Sequence, residues 1–164
     1  MSYSVVSFKM ALAGVTLALT GGPYTSKPDG DLGVCMLPNV PKGMDCHAHV
    51  PTEDFTTPPM SHMVVAVERA LRAALKGKPI YVGCTGGIGR TGTFLACMAK
   101  VAGHKDPVLY IRSEFKGHAV ETKGQEMLIR SFDADSIRDR LKWAIRFAKL
   151  SRRIQGWKNV FSRT

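Results

Sequence analysis

Cys84 and Arg90 stand six positions apart in the stretch Ile80-Tyr81-Val82-Gly83-Cys84-Thr85-Gly86-Gly87-Ile88-Gly89-Arg90-Thr91-Gly92-Thr93. An apolar run leads in, a glycine-rich turn carries the cysteine, and a helix-forming run follows. This layout gathers a thiol, unpaired backbone amides and a guanidinium around one small cavity. A helix N-terminus attracts anions, because its first amides lack partners and its dipole end is positive. The same field stabilises a thiolate over a thiol. The chemistry these residue types suit is attack by sulfur on a bound phosphate.

Two other phosphate-binding loops fit in part. Gly87-Ile88-Gly89-Arg90-Thr91-Gly92 satisfies the dinucleotide pattern GxGxxG between a strand and a helix. Its ribose-binding acid would be Glu114, 22 residues beyond Gly92, but that residue falls inside a predicted helix. The nucleotide-triphosphate pattern GxxxxGK[ST] nearly fits from Cys84 to Thr91, with cysteine for the first glycine and arginine for the lysine. Both changes remove a specific function, the tight wrap and the reach to the terminal phosphates. The third reading uses every residue. Gly86, Gly87 and Gly89 let amides turn inward without steric cost, and the fork of Arg90 grips two phosphate oxygens.

On these residues the chain resembles the cysteine-dependent protein tyrosine phosphatases, whose signature is HCxxGxxR[ST]. The resemblance implies that Cys84 is the nucleophile and that Thr85, Gly86, Gly87, Ile88, Gly89 and Arg90 bind the phosphate. It implies that the Thr91 hydroxyl bonds the departing sulfur, and that neither a metal nor a cofactor takes part. The leaving oxygen needs a proton donor. The family carries its acid on a mobile loop upstream, and Asp54, thirty residues before Cys84 and followed by Pro58, fits that place. Glu53 and Asp45 are the weaker candidates. Downstream, Ile111-Arg112 and the run from Ala119 to Ile129 resemble the family segment ending VQTxxQ. Gln125 is the counterpart of the glutamine that orients water, and Glu121 stands where glutamine is usual.

The resemblance covers roughly residues 50–132. It implies a phosphatase-like α/β fold, a central mostly parallel sheet flanked by helices, with the phosphate loop between a strand and a helix. A single phosphatase-like domain over residues 1–164 is expected, of the compact dual-specificity kind. The implied activity is hydrolysis of phosphomonoesters on a phosphorylated protein through a cysteinyl-phosphate. A phosphoinositide or RNA 5′-phosphatase, or a catalytically weak phosphate-binding module, are the alternatives. One departure matters: the family has histidine before the cysteine and this chain has Gly83. Loss of that orienting group predicts a slower attack. His47, His49 and His62 surround the acid loop and are read as ordinary loop or surface residues, and Cys97 is read as core.

The elements that must position these groups follow from periodicity and punctuation. Strands are predicted over 3–8, 15–20, 32–40 and 80–82. Residues 10–19 are apolar after Lys9, as in a short signal core, but their alternation from Val15 suits a strand better. Residues 41–58 read as loop. Helices are predicted over 59–76, with Met63, Val64, Val67, Ala70, Leu71 and Ala74 inward, and over 91–102, 106–115 and 122–132. A last helix starts at Ser136. Parallel α/β sheets bind ligands beyond the carboxyl ends of their strands, where Cys84 falls.

Of the 164 residues 45% are hydrophobic, enough for a real core. Cysteines 35, 46, 84 and 97 match no zinc spacing and read as reduced thiols of a cytoplasmic protein. The net charge of +10 is uneven, because residues 136–164 hold 9 basic and 1 acidic side chains. On that last helix Arg138, Lys142, Arg146, Lys149 and Arg153 share a face. Ile137, Leu141, Ala144, Ile145 and Ala148 form one apolar side, and Trp143, Phe147, Leu150, Ile154 and Trp157 a second. Docking against the core with a basic edge in water is the plainer reading. Otherwise the charge suits an acidic partner, an anionic lipid or a nucleic acid.

Overall fold

The computed structural model describes the backbone of residues 4–161 and the side chains of residues 4–155. Tyr3, within the first expected strand, and the Trp157 side chain lie outside the described residues. Among the described residues five strands form one sheet: β1 (Val6–Leu12), β2 (Val15–Pro23), β3 (Leu32–Cys35), β4 (Ala48–His49) and β5 (Ile80–Cys84), in the order β1-β2-β5-β3-β4. β1 and β2 pair antiparallel, and every other neighbouring pair is parallel. Five α-helices among the described residues complete the α/β architecture: α1 (Met60–Leu75), α2 (Gly89–Ala102), α3 (Pro107–Glu114), α4 (Lys123–Ser131) and α5 (Ala134–Phe161).

The first two expected strands are arms of one hairpin, turned at Ala13 (φ 49°) and Gly14 (φ 83°). Two successive left-handed residues give the turn whose twist matches paired strands. β1 therefore runs to Leu12, past the expected end at residue 8. β3 stops at Cys35 rather than 40, because Pro38 follows and cannot donate to a ladder. The stretch read as loop contains β4, two residues long, paired Val34 to Ala48 and Cys35 to His49. All five residues of β5 are buried between two parallel neighbours, which accounts for its unbroken apolar run.

α1 begins after Pro59 and buries Met63, Val67, Ala70, Leu71 and Ala74 on its inner stripe. Asp106 caps α3 by accepting from the Leu109 amide at 2.9 Å, and the Asp133 carboxylate accepts from the Ser136 amide at 3.1 Å at the head of α5. The last helix thus starts two residues before Ser136. Its Ile137, Leu141, Ile145 and Ala148 join the hydrophobic core. Because β2, β3, β4 and β5 all run the same way, the segments after β4 and β5 leave the same edge of the sheet.

An ion-paired carboxylate ties α1 to α5. Glu68 accepts from Arg72 Nη2 at 2.7 Å and from Arg140 Nε at 2.7 Å. Burial alone would raise the proton affinity of Glu68, but hydrogen bonds and charges from Arg72 and Arg140 outweigh it and hold the carboxyl below the usual range. A depressed folded value adds stability that is full above the unfolded value, about 4.3, and is lost as pH falls through the folded one. Glu68→Gln should therefore flatten the acid limb of a stability-against-pH curve. An acid limb of unchanged slope would remove Glu68 from that account.

Candidate active site

β5 delivers Cys84 to the edge of the sheet, residues 85–88 turn, and Gly89 opens α2. Cys84 is buried, and its Sγ accepts hydrogen bonds from the Gly87 amide and the Thr91 hydroxyl, each at 3.2 Å. The amides of Thr85, Gly86 and Ile88 make no hydrogen bond among the described residues. Those of Gly89 and Arg90 lie in the first turn of α2, where a helix offers no internal acceptor. The loop therefore lines a concave surface with donors around one sulfur.

Arg90 is 3% exposed and closes this surface. Its Nη1 donates to the Thr52 carbonyl at 2.7 Å and its Nη2 to Thr85 Oγ1 at 2.9 Å. Nη2 also lies 3.0 Å from Asp54 Oδ1. Its Nε is buried and has no partner among the described residues. A buried guanidinium is costly unless its donors are used, so this orphaned Nε fits an oxyanion at the loop. Asp54, 60% exposed on the segment after β4, also accepts from the Phe55 amide at 3.2 Å. Phe55 takes φ 56° and stands exposed beside it, a strained conformation of the kind found at working loops.

Gly83, where the family has histidine, has a steric cause. A Cβ there would stand 2.7 Å from Tyr24 Cα and 2.9 Å from Tyr24 N. β2 pairs Gly22 with Gly83 and Pro23 with Cys84, then turns at Tyr24 directly over the end of β5. The buried Tyr81 hydroxyl fastens this crossing by donating to the Pro23 carbonyl at 2.6 Å. Gly87 (φ 63°) is pressed just as closely, since a Cβ on it would collide with the backbone of Gly22.

The structure brings Cys84, Thr85, Gly87, Arg90, Thr91 and Asp54 into contact. Gln125 is fully buried at the head of α4. There its Oε1 accepts from the Glu121 and Thr122 amides at 2.7 and 3.3 Å, and its own amide is capped by Thr122. This is the reciprocal box that the spacing Thr122-x-x-Gln125 signals. Its Nε2 is buried without a partner among the described residues. The Glu121 carboxylate rests on Gly89, inside the space a Cβ would take. Arg112 pins that segment through the Ala119 and Val120 carbonyls at 3.0 and 2.9 Å, with Val120 held at φ 63°.

Lys116 is a member of the site that sequence reasoning missed. Its Nζ donates to the Gly87 carbonyl at 2.8 Å. Burial holds its ammonium below the usual lysine range, with the nearby Cys84 pulling the other way. No local pattern marks it, because it reaches the loop from 29 residues away. The remaining histidines and Cys97 stand apart. His49 meets the Leu37 carbonyl at 2.9 Å, His62 is exposed, and Cys97 is core, its thiol pushed up by burial.

Gly83→His, which would restore the family residue, should destabilise the fold by about 1–3 kcal/mol or more through the clash with Tyr24. A thermal or urea melt reads this. A midpoint equal to that of the parent chain would mean that the Tyr24 turn gives way freely.

Residues 38–104, from before β4 to just beyond α2, match the family model described as polymorphic toxin system, DSP-PTPase phosphatase. Over 81 residues the chain is 40% identical to an uncharacterized protein of Methanocaldococcus jannaschii, which covers 49% of this chain and 51% of that protein. The chain spans about half the length of the curated relatives it matches. Among solved structures, kinase associated phosphatase superposes with a TM-score of 0.59 at 17% identity, covering 84% of this chain and 98% of the other. Tk-PTP in its active form gives 0.56 at 22% identity, covering 75% and 91%. At these identities the likeness is one of fold. Residues 38–104 are thus similar to a DSP-PTPase phosphatase domain, and the fold of the chain is that of the phosphatase structures.

Proposed function

We propose that the chain hydrolyses phosphomonoesters, as a protein tyrosine or dual-specificity phosphatase acting through a cysteinyl-phosphate. One observation carries this reading. A sulfur that accepts an amide and a hydroxyl hydrogen bond shares its loop with a buried guanidinium, and that guanidinium is paired to an exposed carboxylate. Nucleophile, anion grip and proton donor are thus within reach of one phosphate.

Phosphate oxygens take the loop amides, Arg90 Nε, and the place on Nη2 that Asp54 holds. Cys84 sulfur attacks phosphorus in line, forming the S–P bond as the P–O bond to the leaving group breaks. Arg90 and the amides stabilise the equatorial oxygens while charge redistributes. Asp54, displaced from Arg90 by the phosphate and protonated from solvent, gives that proton to the leaving oxygen. Asp54 then takes a proton from water, whose oxygen attacks phosphorus as the S–P bond breaks. In this reading Gln125 orients that water, supported by its buried Nε2 having no partner among the described residues, and Thr91 donates to the departing sulfur. Thr85, Gly86, Gly87, Ile88 and Gly89 form the binding loop. Four free thiols fit a reducing, cytoplasmic setting.

Cys84→Ser should abolish turnover of a chromogenic phosphomonoester while phosphate still binds, and persistent hydrolysis by that variant rules the scheme out. Asp54→Asn should slow esters with poor leaving groups by roughly 100-fold or more and those with good leaving groups far less. Equal rates for parent and variant on the poor leaving groups would take Asp54 out of the acid role. A panel of phosphotyrosine, phosphoserine, phosphoinositide and RNA 5′-phosphate then assigns the substrate class.

A further inference from the structure

α5 carries large apolar side chains on two opposite sides. Ile137, Leu141, Ile145 and Ala148 enter the core. Trp143, Phe147, Leu150 and Ile154 face outward with 73%, 72%, 55% and 50% exposure. Their spacing of four, three and four residues draws one straight stripe along the helix, about 16 Å long at 1.5 Å per residue. Folding gains nothing from this side, and a contiguous exposed apolar stripe of this kind marks an interaction site.

The border of the stripe is cationic. At 100° per residue Arg146 and Arg153 lie along its edge, with Lys142 and Lys149 next to them. Arg146, Lys149 and Arg153 make no ion pair among the described residues, whereas Lys142 is paired with Asp139. Residues 140–164 contain eight Lys or Arg and no Asp or Glu. The Arg146 guanidinium stacks 5.1 Å over the Trp143 ring, which joins a cation and an indole at the margin of the stripe.

We propose that this outward face of α5 docks on the surface of an anionic lipid bilayer. The two halves of the pattern match the two layers of such a surface. Trp, Phe, Leu and Ile suit the boundary of the acyl region, and the flanking Arg and Lys suit headgroup phosphates. The helix lies on the bilayer rather than through it, because no helix among the described residues is long and apolar enough to cross a membrane. A second copy is a poorer occupant, since it would bring two such basic segments together. A nucleic acid is also poorer, since phosphates seek cations and the middle of this face is hydrocarbon.

The test uses the full chain with vesicles of phosphatidylcholine, either alone or with about one-third phosphatidylserine, at physiological salt. A Trp157→Phe background makes Trp143 the single indole. Binding to the anionic vesicles and a blue shift of Trp143 emission are expected. Phe147→Ser with Leu150→Ser should weaken binding roughly tenfold or more. Arg146→Gln, Lys149→Gln and Arg153→Gln should each weaken it about fivefold. All these side chains are exposed, so melting temperatures should hold. A folded chain that ignores anionic vesicles overturns the proposal. So does binding that survives Phe147→Ser with Leu150→Ser, or a stable dimer or RNA complex that engages the stripe instead. None of these outcomes depends on what Cys84 does.

Discussion

The loop from Cys84 to Arg90 keeps its shape because backbone presses directly on backbone. Gly83 lies under the Tyr24 turn and Gly87 lies against Gly22, at separations that leave no room for a Cβ. These contacts fix where the loop leaves β5 and where its tip lies. The Gly87 amide then meets Cys84 Sγ, and the Gly87 carbonyl meets Lys116. Close packing of this kind is stiff, since any added methyl must displace main chain rather than a side chain. The histidine usual in the family is excluded by the same packing, and the Tyr81 hydroxyl on the Pro23 carbonyl fastens the crossing from below.

Around this loop the site draws on three distant parts of the chain. The parallel arrangement of β3, β4 and β5 sends the segment bearing Thr52 and Asp54 off the same sheet edge as Cys84. Arg90 joins them, holding the Thr52 carbonyl and the Asp54 carboxylate from one guanidinium. The third part is the head of α4, where Gln125 closes a capping box and Arg112 holds the strained backbone at Val120 so that Glu121 reaches Gly89. A buried guanidinium must spend its donors on fixed partners. The partners of Arg90 are therefore also what holds the acid loop to the phosphate loop.

α5 serves the fold with one side and is left exposed on the other. Its inner side completes the core, and the Glu68–Arg140 contact ties it to α1. The outward stripe is made of the same residue types as the inner one, so composition does not distinguish them. Their difference lies in what stands opposite: α1, α2 and β2 on one side, and no described residue covering the stripe on the other.

Local chemistry was readable from the residues alone. The apolar run into Cys84, the glycines after it and Arg90 six places on state a strand, a turn and an anion-binding helix start. The stripe over residues 60–75 and the cap at Asp106 are likewise local, because each is decided by neighbours within a few positions. Tertiary structure alone decided the rest. The two-residue β4 exists because β3 lies beside it, and it is too short to leave a pattern. Lys116 joins the loop across 29 residues, and Glu121 is laid on Gly89 by Arg112. Gly83 reads in sequence as a lost histidine, and only the path of Tyr24 shows it to be a steric requirement. Such features depend on which backbones meet, and residue types do not encode meetings between segments far apart in the chain.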